Sequence, residues 1–219
     1  VSKRTIAGSV ALLAAPIIVI AGTLVQPTLS DDAASQVAAL TDHRGAMITT
    51  MALNSIAVAL LIAGVIWLAL ALTPRAPRLA LAGGVLGVFG LLAVLFDNGV
   101  AAAFPPIVGG LDPIQATAVL DRIHSAAAIT ALGPLSVIGD IGLVLLGIAA
   151  VKAGAPRWAG AAIAAGALAE GAGFATSTRA LVITAFAVLF VGMLQAVRTL
   201  TASPSPRLAA AGAKAAAVS

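Results

Sequence analysis

Six apolar runs divide the chain, at about 5–26, 46–72, 79–96, 125–151, 158–175 and 180–198. A helix rises about 1.5 Å per residue and a bilayer's hydrocarbon core is about 30 Å thick, so a spanning helix needs about twenty apolar residues. Lipid offers no hydrogen bonds to the backbone, and a helix is the structure that satisfies its own N–H and C=O groups within a single segment. Runs of this length therefore predict an all-α fold, a polytopic membrane bundle of six transmembrane helices. Composition agrees: 61% of the residues are hydrophobic and 9% charged, against about 25% charged in an ordinary soluble domain. Soluble enzymes and soluble binding modules are excluded on that ground.

The basic residues set an orientation. An even number of spans puts both termini on one side. With the N-terminus in the cytoplasm, Lys3, Arg4, Arg75, Arg78, Lys152, Arg157, Arg198, Arg207 and Lys214 lie inside, and Arg44, Arg122 and Arg179 outside. Nine against three is a strong positive-inside asymmetry and predicts a multi-pass plasma-membrane protein with cytoplasmic termini. Asp31, Asp32, Asp42, Asp97, Asp112 and Asp121 then fall outside, leaving Asp140 and Glu170 within spans. Although the sequence pI is about 10.7, the net charge is only +4. The basic groups sit at segment ends, so the lipid bilayer and not nucleic acid is the expected partner. The first run exceeds the 7–15 residues of a signal-peptide core and reads as a retained helix. Residues 199–219 read as a flexible cytoplasmic tail.

Three joints recur: Ala76-Pro77-Arg78, Ala155-Pro156-Arg157 and Ser205-Pro206-Arg207. Proline suits a first helical turn, where its missing N–H costs nothing, and arginine anchors the inner interface. The joints divide the bundle into three parallel hairpins. Two hairpins also carry a short external helix. In the first, Ser30 is the expected N-cap, Asp31 and Asp32 lie in the first turn, and Ala33, Val37 and Leu40 form an apolar stripe. In the second, Asp112 is the cap, Pro113 starts the helix, and Ala116, Val119, Leu120 and Ile123 are the stripe. Such stripes are too short to span and should pack on the bundle or on each other.

The long first and third external connections, and the joint Ala155-Pro156-Arg157-Trp158-Ala159-Gly160 opening the fifth run, resemble a broad group of uncharacterised six-helix bacterial membrane proteins of actinobacterial type. The likeness covers most of the chain. It implies a multi-pass membrane protein and supplies no catalytic residues to carry over.

The residues that bear chemistry are few. Asp140 lies about 18 Å from Lys152 and Glu170 about 20 Å from Arg157 along their helices, so the two carboxyls share a depth on consecutive helices. An ionisable group within a span is expensive and is a functional candidate by default. Gly133, Ser136, Asp140 and Gly147 share one helical face, and Gly166, Glu170, Gly173 and Ser177 another, which turns both acids toward the bundle. They carry a proton or a cation, or else they are structural hydrogen-bonding groups, with Arg179 reaching Glu170. Gly133-Pro134 interrupts the fourth run, and the freed backbone lines a cavity or marks a packing kink. His43, Met47, Thr50 and Asn54 form a polar stripe on the second run, either a vestibule wall or an interhelical hydrogen-bonding face. Asn54, Thr50, Ser136 and Pro134 are thus the candidates for lining a cavity.

His43 and His124 occupy matching positions beside Asp42 and Asp121, an arrangement that suits a divalent metal or bis-histidine haem, or simply helix ends at an interface. There is no third histidine, and aromatic residues make up 4% of the chain, so no haem and no other cofactor is expected. Cysteine is absent, which removes thiolate sites and cysteine nucleophiles. Hydrolase, zincin, P-loop and dinucleotide signatures are also missing. Gly83, Gly87 and Gly90 form a packing seam within an apolar helix, not a phosphate loop. The sequence thus points to a small permease-like carrier that uses intramembrane carboxylates. The alternatives are a non-catalytic scaffold or regulatory subunit, joined to a membrane-protein partner or to further copies of itself, and then a metal- or haem-dependent membrane enzyme.

Overall fold

The computed structural model describes residues 3–27 and 32–202. Among them are nine α-helices and no strand: α1 (Lys3–Val25), α2 (Ala33–Asp42), α3 (Arg44–Leu72), α4 (Pro77–Val108), α5 (Pro113–His124), α6 (Ala127–Thr130), α7 (Leu132–Lys152), α8 (Arg157–Ala175) and α9 (Arg179–Ala202). Five segments are long and apolar enough to cross a membrane: Lys3–Val25, Arg44–Leu72, Pro77–Val108, Ala127–Lys152 and Arg179–Ala202. The fifth of the six expected runs, α8, is 19 residues of mostly Ala and Gly interrupted by Glu170, and it is not one of the five.

The six long helices close a ring. α1 packs on α3, α3 on α4, α4 on α7, α7 on α8, α8 on α9, and α9 returns to α1. Neighbours run antiparallel, as their register shows: Gly83 meets Leu146 and Gly90 meets Gly139 across α4 and α7, while Gly166 meets Leu189 and Gly173 meets Val182 across α8 and α9. Glycine is what permits the α4–α7 approach. A Cβ on Gly142 would lie 2.6 Å from Gly87 Cα and 2.8 Å from Gly83 O. With no hydrophobic force between helices in lipid, such close backbone packing holds the bundle together. The seam expected at Gly83, Gly87 and Gly90 is thus the α4 side of this contact. Large apolar side chains meanwhile point outward, Leu70, Leu81, Val85 and Leu168 among them, as a lipid-facing surface requires.

The helix ends follow local rules. α7 stops in a Schellman motif: Gly154 takes φ +105°, Gly154 N donates to Val151 O, and Ala155 N donates to Ala150 O. α8 stops the same way with Ser177 in the left-handed place at φ +50°. Pro77 occupies the first turn of α4 as expected, whereas Pro156 is the N-cap of α8, one position before the helix. Pro206 lies outside the described residues.

Three boundaries differ from expectation. α4 runs to Val108, well past the expected end at 96, so Asp97 and Asn98 are helical and not loop. The reason is the renewed apolar, alanine-rich stretch after Asn98, where strong helix formers carry the ladder on until Pro105 and Pro106 weaken it. The fourth run breaks into α6 and α7 at Ala131, which leaves Pro134 in the first turn of α7, where its missing N–H is tolerated. α9 extends to Ala202, and the rest of the expected tail lies outside the described residues.

The short helices α2 and α5 form a cover at one end. Asp112 caps α5, its Oδ1 accepting from the amides of Ile114 and Gln115 at 3.0 Å each. α2 is capped by Asp32, whose Oδ1 accepts from Ser35 N at 2.9 Å; the expected cap Ser30, with Asp31, lies outside the described residues. The predicted stripes pack on each other and on the last turns of α4: Val37, Leu40, Ala116 and Leu120 form one cluster with Met47, Phe104 and Val108.

Candidate functional site

A cavity of about 560 Å³ lies within the ring, and each of the six long helices contributes to its wall. Its polar groups are Asn54 of α3, Asp97 and Asn98 of α4, Ser136 and Asp140 of α7, and Glu170 of α8. Val58, Leu91, Leu143, Phe174 and Phe186 supply much of the apolar wall. The broken fourth run borders the same space through Ile129, Leu132 and Gly133.

Glycine makes room for the carboxyl of Asp140. A Cβ on Gly171 would stand 2.7 Å from Asp140 Oδ2, so α8 presents no side chain where the α7 carboxyl sits. Glu170 is the adjacent residue of α8, lines the same cavity and lies within electrostatic range of Asp140. Asp97 is farther along α4, toward the cover, within electrostatic range of His124. Among the described residues, neither lysine nor arginine nor histidine lines the cavity. Asn54 brings an amide whose buried Oδ1 has no hydrogen-bond partner among the described residues, and a Cβ on Gly22 of α1 would stand 2.8 Å from it. Ser136 Oγ donates back to Gly133 O at 2.7 Å, an i−3 bond of the kind that bends helices.

Of the residues singled out from sequence, Asp140, Glu170, Asn54 and Ser136 meet at this cavity. Thr50 does not line it: the residue is buried between helices, and its Oγ1 donates to Gly22 O of α1 at 3.3 Å. Met47, on the same stripe, belongs to the cluster under the cover. The stripe therefore divides among different environments, because α3, 29 residues long, passes all of them. Pro134 also stays off the wall, which Gly133 and Ser136 reach on either side of it. Arg179 does not turn to Glu170. Its Nη2 donates to the carbonyl of Leu24, joining the start of α9 to the last turn of α1.

His43 sits exposed at the joint of α2 and α3, and His124 ends α5 with its ring in edge contact with Phe104, centroids 5.7 Å apart. No group of three or more His, Cys, Asp or Glu side chains that could hold a metal ion occurs among the described residues. Asp97 and Asn98 lie within α4 and not in an external loop, and the apolar residues resuming at Gly99 are the sequence signal that the helix continues. No protein family, curated protein or solved structure matches the chain.

Proposed function

We propose that the chain is a small carrier of the plasma membrane, with six spans and cytoplasmic termini, which moves a proton or cation through the central cavity by way of Asp140 and Glu170. One observation carries this reading: two carboxyls from adjacent helices, each costly within a bilayer, line a single cavity to which all six long helices contribute. The six-span count is supported by the place of α8 in the ring, between two helices that are themselves long enough to span. The orientation is supported by the nine-to-three distribution of basic residues. Arg179, the arginine nearest in sequence, is bonded to Leu24 and does not supply Glu170 with the cation of a structural ion pair.

The test is flux in proteoliposomes under an imposed pH gradient. Asp140→Asn and Glu170→Gln keep the shape and hydrogen-bonding capacity of each side chain while removing its exchangeable charge, and should abolish pH-dependent flux. Unchanged flux in both variants rules the acids out as carriers. Failure of both to fold supports a structural role for them, and absence of flux in the parent protein leaves the scaffold or regulatory subunit as the better reading.

A further inference from the structure

We infer that the cavity takes an organic cation, a protonated amine carrying an apolar body, in preference to an inorganic ion or an anion. The inference rests on the carrier reading for its site but concerns binding, so the two can fail separately. Size comes first. At about 560 Å³ the space falls within the roughly 300–1,000 Å³ usual for organic ligands, and a bare metal ion would leave most of it empty. The wall comes second: Val58, Leu91, Leu143, Phe174 and Phe186 offer apolar and aromatic contact that a hydrated ion cannot use. Two phenylalanine rings also suit the apolar or cationic part of an amine.

The polar groups then select the charge. Asp97, Asp140 and Glu170 offer carboxyl oxygens at separate points of the wall, and among the described residues no lysine, arginine or histidine lines it to balance them. His124, in electrostatic range of Asp97, lies off the wall at the cover end. An anion would meet three carboxyls in a poorly solvated space. An ammonium group brings three N–H donors to a set of acceptors, and hydrogen bonds to charged groups are the stronger kind. The amide of Asn54, with a buried oxygen lacking a partner among the described residues, adds a further polar group on the α3 side.

The experiment is calorimetric binding to the full chain in nanodiscs of zwitterionic lipid, which avoids adsorption of cations to anionic headgroups. The probes are 1-naphthylmethylammonium, the neutral alcohol 1-naphthylmethanol, 1-naphthalenesulfonate and sodium chloride. The amine should bind at one site per chain, and Asp140→Asn should weaken it about tenfold or more, the loss of one charged hydrogen bond. Because Asp140→Asn alone could disturb folding, Asp97→Asn, on another helix, serves as the second variant and should weaken binding in the same direction. Sulfonate should not bind, and sodium should not compete. Equal affinity for the alcohol and the amine overturns the charge selection. Competition by millimolar sodium overturns the organic ligand, and so does no binding by the amine. Amine binding in a protein without flux sustains this inference while removing the carrier reading. Flux that depends on Asp140 in a protein that does not bind the amine does the reverse.

Discussion

Gly171 and Asp140 face each other across α7 and α8 so closely that a Cβ on the glycine would lie 2.7 Å from the carboxyl oxygen Oδ2. The helix that carries Glu170 thus gives up its next side chain to admit the acid of its neighbour. The atom displaced by a substitution is the tip of a flexible side chain and not backbone. Gly171→Ala should therefore fold, with the added methyl's clash offset by the roughly 0.5–1 kcal/mol that alanine gains over glycine within a helix. It should still swing the carboxyl away from its place and lower pH-driven flux roughly tenfold or more. Thermal unfolding in detergent and proteoliposome flux, measured on one preparation, separate the two effects. Undiminished flux would show that the position of Asp140 does not matter.

The α4–α7 seam should respond in the opposite way. At Gly142 an added Cβ meets backbone atoms of Gly87 and Gly83, which cannot move without parting the helices. Gly142→Val is expected to destabilise the protein by about 3 kcal/mol through overpacking. The control is Gly99→Ala on α4, where the added carbon meets nothing within 4 Å, and which should be neutral to slightly stabilising. Similar unfolding midpoints for the two variants would contradict the close packing of α4 on α7.

The cover helix α5 begins on a single side chain. Asp112 Oδ1 accepts from both Ile114 N and Gln115 N, so Asp112→Ala should cost about 1 kcal/mol. The loss should stay local, read as faster hydrogen exchange at those two amides with the long helices unchanged. Exchange that does not change would mean that packing of Ala116 and Leu120 holds the helix start without its cap.

Orientation is open to direct labelling because the chain has no cysteine. Ser35 on α2 and Pro74 in the α3–α4 turn are both exposed and lie at opposite ends of α3. A membrane-impermeant thiol reagent applied to intact cells should modify Ser35→Cys and spare Pro74→Cys until the membrane is opened. The reverse pattern would invert the topology.

Helix existence and most helix starts were legible from the sequence, because in lipid the requirement to satisfy the backbone within one segment turns apolar length directly into helix. Asp112 followed by Pro113, and the apolar stripe from Ala116 to Ile123, were readable for the same reason: caps and periodicity are local. Glycines at 83, 87 and 90 announced a close helix approach, since nothing else in an apolar helix accounts for them. What local chemistry could not supply was the partner of each face. Thr50 and Asn54 stand one helical turn apart and look alike in sequence, yet Thr50 bonds to Gly22 while Asn54 reaches the cavity. Asp97 looked like a span end because a lone acid in an apolar run is costly. Only the closing of α9 onto α1 creates the interior space that makes its place in α4 tolerable. The same closure decides that Arg179 meets Leu24 and not Glu170, a choice between residues 155 and 9 positions away that no local preference encodes.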